Sequence, residues 1–272
     1  MAAHIVRSGQ NIQVAPGQWN GDRVEYQGTQ SGLATANVTF NGYNLLSSIS
    51  DTGTPNALAY GSMTVGVGQS VEVGSINLSY AGFTVPGMTG ATLTFDGISH
   101  VRHSTLTMYG RFGGGLLNLR NATVQVSNST ANLDGNMAVK GQGTIQLLGD
   151  SLVRLDAAGP AVTVKLDSGT LSLASGMQFL GTVTDSVPGL SRIGLGGQVD
   201  VFNASTAVRE TFSRASGMLD LFDDQNKQVA AVHFGAGRGD LYTAWVPSAG
   251  NGTGAMVISS NHSAASLPTS FA

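Results

Sequence analysis

The sequence predicts an all-β protein with a β-solenoid at its centre, and three observations carry that prediction. Between Leu116 and Val183 the chain is one short apolar stretch after another, each alternating inward and outward residues and each broken by Gly, Asn, Asp or Ser. The stretches also recur in register. Leu116–Leu119 is echoed by Met137–Val139, Val124–Val126 by Ile145–Leu147, and Ala131–Leu133 by Leu152–Leu155, each about 21 residues later. A repeat of that length, with three short strands and three corners, is one rung of a β-solenoid. Finally, 38 of the 272 residues are glycine and 11% are charged, with 3 Lys and 3 Glu. Lys and Glu furnish long exposed helices, whereas the abundant Asn, Asp and Gly furnish turns.

Taken in order, residues 1–45 carry alternating segments at Ile12–Val14, Val24–Tyr26 and Val38–Phe40, separated by PGQ, NGD and NGY turns. These read as hairpin-like strands. A polar stretch from Ser47 to Gly61 follows, then Met63–Val67, Val71–Val73 and Ile76–Tyr80, spaced too closely for the repeat found downstream. Residues 1–85 are therefore expected to form an N-terminal β cap or small β subdomain, because a bare solenoid end exposes a strand edge and an apolar core. The solenoid itself is expected over 86–191, with rung-like strands starting at Ala91–Phe95 and an AAGP corner insertion after Leu155. Residues 192–272 change style and predict a C-terminal β-hairpin region. Gly217–Phe222 and Gln228–Phe234 alternate about the polar turn Asp223–Lys227, and Leu241–Val246 and Ala255–Ser259 supply two further strands. Thr206–Ser213 is the best candidate for a helix, and it is short.

Composition also bounds the function. A net charge of −3 provides no basic field for nucleic acid. The absence of cysteine excludes disulfides and thiolate chemistry. No stretch approaches the ~18 apolar residues of a transmembrane helix. The opening MAAHIVRSGQ lacks the apolar run of a secretory signal.

Candidate chemistry is sparse. Asp220, Asp223 and Asp224 cluster at the expected hairpin, where they offer hard oxygen ligands for Ca²⁺; the competing and favoured reading is that Asp at a tight turn caps its own backbone. His100 and His103, beside Asp96, suggest a metal, but positions i and i+3 on a β path face opposite ways, so surface or corner histidines are expected. His4, His233 and His262 are scattered singles. Arg238-Gly239-Asp240 is a tripeptide that integrins recognise, and a Gly-rich turn explains it equally well. Asp134, Arg154 and Asp156 fall about one rung apart. They suit either the carboxylate group of a polysaccharide-cleaving enzyme or the solubilising outer wall of a solenoid, and the wall reading is favoured. No catalytic residue and no resident cofactor are expected, with Ca²⁺ the one ion kept open.

The run SGTLSLASGMQFLGTVTD (168–185), then IGLGGQVDVF (193–202), the hairpin GMLDLFDDQNKQVAAVHFG (217–235), and LYTAW followed by GNGTGAMVISS resemble a module of bacterial adhesin and autotransporter-like β-helix repeat proteins. The resemblance covers roughly residues 110–260, and it implies a structural module at a bacterial surface rather than an enzyme. The expected function is thus a self-assembling β-solenoid subunit of an extracellular filament, surface layer or biofilm matrix. Its partner would be itself, with cell-surface polysaccharide as a second partner. Two alternatives remain open at this point: an adhesin, carbohydrate-binding or polysaccharide-degrading β-helix protein, and a cytoplasmic cytoskeletal polymer.

Overall fold

The computed structural model describes residues 1–29, 35–86, 91–95, 98–108, 111–113, 116–128, 130–167, 169–173, 179–185, 198–201, 206–235, 242–246 and 255–259. Among them there is no helix. The chain opens with β1 (Ala3–Arg7) and β2 (Asn11–Val14), then winds through successive strand triplets. These are β3 (Arg23–Gln27), β4 (Ala36–Phe40) and β5 (Asn44–Leu46); β6 (Ser48–Thr52), β7 (Ala59–Val65) and β8 (Ser70–Val73). Next come β9 (Ile76–Ser79), β10 (Ala81–Val85) and β11 (Thr92–Phe95), then β12 (Ile98–Arg102), β13 (Thr105–Met108) and β14 (Arg111–Gly113). Beyond this point strands run round the corners without a break, giving β15 (Leu116–Ser127), β16 (Thr130–Leu148) and β17 (Leu152–Ala158). The winding ends with β18 (Val162–Leu166), β19 (Thr170–Leu173), β20 (Thr182–Asp185) and β21 (Gln198–Val201).

Three parallel ladders result, and they make a β-solenoid of about seven turns. The first ladder climbs through β1, β3, β6, β9, β12 and the start of β15. The second runs through β2, β4, β7, β10, β13, the end of β15, the end of β16, β18 and β20. The third joins β5, β8, β11, β14, the start of β16, β17, β19 and β21. The repeat expected between Leu116 and Val183 is found, with Val124 facing Ile145 at the expected 21 residues; Leu117 faces Val139 and Ala131 faces Val153, each 22 residues apart and so shifted by one from the expected alignment. Parallel pairing needs a crossover, and here the crossover is the rest of the coil.

The ladders cross residue 85 without interruption, since β10 pairs with β7 before it and β13 after it. The segments expected to be hairpin-like within residues 1–45 are parallel instead: β1 pairs with β3, and β2 with β4. Their Gly and Asn turns are solenoid corners, because a turn residue supplies the same backbone freedom to a corner as to a hairpin. The coil length also varies, from 18 residues between Ile98 and Leu116 to 27 between Ile49 and Ile76 and 28 between Leu171 and Val199. In the first coil a run of turns over residues 16–22 replaces the third strand, held by Gly17 N–H to the Tyr43 carbonyl and Gly21 N–H to the Leu45 carbonyl, both 2.7 Å.

Inward residues of the downstream coils are mostly aliphatic, as in Val124, Ile145, Val164 and Val183. The first coils add large aromatics to the aliphatic interior. Trp19 stacks on His4 at 4.1 Å and meets Phe40 edge-on at 5.8 Å, while Tyr26 meets Phe83 edge-on at 4.9 Å. Buried hydroxyls pin the corners: Ser99 Oγ accepts from Ile76 N–H, Ser104 Oγ from Ala81 N–H, and Ser151 Oγ donates to the Val126 carbonyl. Buried Asn44 spans the first corner, accepting from Trp19 N–H and donating to the Ala15 carbonyl. Each satisfies a polar group that would otherwise be orphaned inside.

At the far end the pairing becomes antiparallel. β22 (Arg209–Ser213), β23 (Met218–Phe222) and β24 (Gln228–His233) form a meander, with β23 and β24 joined across the turn at 223–227. β25 (Tyr242–Val246) and β26 (Ala255–Ser259) pair antiparallel, and β26 adds to β21. The Thr206–Ser213 segment, weighed as a helix, contains strand β22; Phe212 pairs with Leu219, so sheet partners override a weak helical tendency.

Candidate functional site

Among the described residues, one carboxyl group lies buried inside the solenoid. Strand β6 alternates Ser48, Ile49, Ser50, Asp51, and that parity sends Asp51 inward with Ile49. Asp51 is fully buried, and neither of its carboxyl oxygens has a hydrogen-bond partner. Its register neighbour on the preceding coil is Tyr26, whose hydroxyl is also buried and without a partner. Gly61 makes the room: a Cβ there would sit 2.8 Å from Asp51 Oδ2 and 2.8 Å from the Phe83 ring. Burial raises the Asp51 pKa to about 7, and the nearby Gly61 backbone N–H, which falls short of hydrogen-bonding geometry, offsets part of the rise. Burial, and then the Asp51 charge, raise the Tyr26 pKa well above its ordinary value.

A second feature lies on the outer wall. The corner between the first and second ladders repeats up the coil, with Gly53 N–H bonded to the Ser79 carbonyl, Tyr80 N–H to Arg102 and His103 N–H to Arg120. Tyr80, His103 and Asn121 take left-handed backbone angles of 50°, 48° and 47°. Asn does so most readily and His more readily than most side chains; for Tyr the cost is about 1–2 kcal/mol. The two rings stack on each other, 4.7 Å apart and 6° from parallel. Beside them is a groove of about 290 Å³ whose lining includes Leu58, Tyr60, Gly82, Thr84, His103 and Thr105. Leu58 is 37% exposed, an apolar side chain left at the rim. Tyr60 lies over Gly82, where a Cβ would come 2.9 Å from the ring.

From Gly82 a row of outward threonines runs along the second ladder, with Thr105, Thr123, Thr144, Thr163 and Thr182 in consecutive register. Neighbouring strands in a sheet are ≈ 4.7–4.9 Å apart, which sets the repeat of these hydroxyls. The adjacent row is polar too: Gln125 accepts from Thr107, donates to Gln146, and Gln146 donates to Asp167.

The third feature is the open end. Among the described residues, β1 pairs only with β3 and β2 only with β4, so each keeps one edge without a strand partner. Of the residues that commonly blunt such edges, β1 carries one, the exposed Arg7 at its end, and β2 carries none. Ile5 in the middle of β1 is 41% exposed. The end is held in shape by His4 Nε2 to Asp22 Oδ2 at 2.9 Å and by Ala2 N–H to Asp22 Oδ1.

The residues singled out from the sequence are dispersed. Asp223 Oδ1 accepts from Gln225 N–H and Lys227 N–H, which is the turn-capping role. Asp220 accepts from the Gln228 side chain, and Asp224 is exposed. His100 lies on β12, His103 at the corner; Asp96 and Arg238–Asp240 lie outside the described residues. Arg154 faces Asn132 and Ser172 along the third ladder, and the side chains of Asp134 and Asp156 are outside those described. Among the described residues no three His, Cys, Asp or Glu side chains come together as a metal-sized group. Asp223→Ala is expected to lower stability by about 1–2 kcal/mol, the value of two backbone hydrogen bonds. Melting in Ca²⁺ and in chelator checks this: an equal loss in both marks the turn role, and a loss confined to Ca²⁺ marks a bound ion.

No family model matches the chain, and no curated protein matches it. Among the described residues, no helix is long and apolar enough to cross a membrane.

Proposed function

We propose that this chain is a structural protein, a β-solenoid subunit that associates with further copies of itself at a bacterial cell surface or in an extracellular matrix. The observation that carries the reading is the edge of β1 and β2 left without a strand partner among the described residues, with Arg7 at the end of β1 as its one Lys, Arg, Asp, Glu or Pro. Strand addition to such an edge supplies main-chain hydrogen bonds with little demand on side chains. The stacked, largely aliphatic interior supports a load-bearing role, because each coil is held by both neighbours and stability adds along the axis. The surface location rests on the resemblance of residues 110–260 to adhesin and autotransporter-like β-helix proteins. A filament, a layer and a matrix component are the assemblies this reading admits.

Light scattering after size-exclusion chromatography, with negative-stain microscopy, tests it. The wild-type chain is expected to run above its 27.8 kDa monomer mass, and Ile5→Lys, which places a charge on the edge strand, to return it to monomer. A wild-type monomer at every concentration would falsify the proposal, as would an Ile5→Lys variant that assembles unchanged. The second reading, carbohydrate binding, is favoured by one specific observation, the aromatic groove on the outer wall.

A further inference from the structure

We infer that the groove between Tyr60 and the Tyr80–His103 stack is a carbohydrate-binding site, which seats a pyranose ring of a neutral polysaccharide against Tyr60. This goes beyond self-association and does not depend on it, since the groove lies on the second ladder's outer wall and not at the open end.

The backbone at the corner makes the first argument. Along that corner the residues in succession are Gly53, Tyr80, His103 and Asn121. Asn is what a left-handed corner favours, and the chain places Asn121 there in the coil next to the pair, whereas Gly53 on the other side keeps an ordinary backbone angle. Tyr80 therefore occupies a position where the fold alone would select Asn or Gly, and His103, better tolerated there, keeps a ring where Asn would serve the backbone. Strained backbone of this kind gathers at binding sites, where the surrounding structure holds it in place. The two rings face each other across the corner and stand beside the groove, so the strain is coupled to a surface that a ligand can reach.

The lining sets the ligand class. Tyr60 and Leu58 offer apolar surface, while Thr84, Thr105, Thr107 and the His103 ring offer hydrogen-bonding groups around it. A ligand that matches has a flat apolar face and a hydroxylated edge, which describes a pyranose. Among the described residues of the lining there is no Lys or Arg, so the described groups favour a neutral ligand. The volume, about 290 Å³, is near the lower end of the range of about 300–1,000 Å³ for ligand pockets, which suits a sugar-sized ligand rather than a large one. Gly82 forms the floor, and its missing side chain leaves room for the Tyr60 ring. The threonine row that starts at Thr105 gives a chain extending from the groove a track of hydroxyl groups to follow.

The test uses the full chain and four soluble oligosaccharides as probes: cellotetraose, chitotetraose, maltotetraose and xylotetraose. Calorimetric titration is expected to show at least one of them binding with a dissociation constant in the ~0.1–1 mM range. Tyr60→Ala and His103→Asn are each expected to weaken that binding about tenfold or more, a difference of about 1.4 kcal/mol. His103→Asn supplies the decisive control, because Asn suits the left-handed corner. Its melting temperature should equal or exceed that of the wild type while binding is lost. Failure of all four probes to bind overturns the inference, and so does binding that survives both substitutions. A His103→Asn variant that melts well below the wild type would assign the ring to the fold instead. Self-association measured on the same variants should be unchanged, which keeps this result separate from the fate of the open edge.

Discussion

Asp51→Asn is expected to raise the melting temperature at pH 8 by roughly 5–10 °C while leaving it nearly unchanged at pH 4. The cause is the unpartnered carboxyl group inside the solenoid. Burial lifts its pKa from 3.8 to about 7 in the folded protein, whereas an exposed carboxyl in the unfolded chain titrates near 3.9. Below the unfolded value both states hold the proton, and the contribution of Asp51 to stability is fully present. Between that value and about 7 the folded state keeps a proton that the unfolded state has released, so stability falls by about 1.4 kcal/mol per pH unit. Above about 7 the loss is complete and on the order of 4 kcal/mol. Asparagine has nearly the same shape and never ionises, so it escapes that loss. It still leaves an unpartnered amide where the acid had an unpartnered carboxyl, which is why the two proteins should agree at pH 4.

The quantity to measure is the difference between variant and wild type from pH 4 to pH 8. Subtraction removes groups that titrate alike in both. Asp22 is the important one, because the Ala2 backbone N–H and His4 hold its carboxyl below the usual value. Its stabilisation is present above the unfolded pKa and is lost on acidification, the opposite direction to Asp51. A difference that stays flat across the range would mean that Asp51 is solvated or paired after all.

The sequence shows the solenoid best where its coils are uniform. Between Leu116 and Val183 small aliphatic residues occupy the inward positions at a near-constant spacing, so the partners Val124–Ile145 can be read from it directly and Leu117–Val139 to within one residue. The first coils hide the same architecture because their lengths change. Ile49 finds its partner in Ile76 after a detour that includes the Thr54–Ala57 bridge, so no constant echo exists there. Gly, Asn and Pro mark corners and hairpins alike, and only the partner strand tells them apart. Asp51 carried a legible signal: alternation puts it on the same side as Ile49. The Tyr80–His103 stack carried none, since its two rings meet only once corners of unequal coils are aligned. The Asp223 turn was readable because its hydrogen bonds are local, reaching no farther than Lys227.

Gly141→Ala is expected to cost about 3–5 kcal/mol, far more than Gly68→Ala at about 1 kcal/mol. Both glycines have left-handed backbones, with φ of 85° and 66°. The penalty that an alanine meets from conformation alone is therefore similar, about 1–2 kcal/mol. Their surroundings differ. Gly68 has open space around it, whereas a Cβ at Gly141 would collide with the Leu119 carbonyl of the preceding coil and lie 2.9 Å from Asn118 Oδ1. Leu119 is backbone held in the first ladder, paired with Gly141 itself, so it has no rotamer to yield. Gly143, two residues on, is confined in the same way, with a Cβ 2.7 Å from the Ala122 carbonyl. Relief thus requires the two coils to separate where β16 turns the corner. In a solenoid each coil is stabilised by its neighbours, so a parted interface there would uncouple the coils before Leu119 from those after Gly141. Denaturant unfolding followed by circular dichroism should show a single transition for Gly68→Ala and an earlier or split transition for Gly141→Ala. Equal, small losses for the two variants would mean that the coils do not approach this closely at Gly141, and that its glycine answers only to the backbone angle.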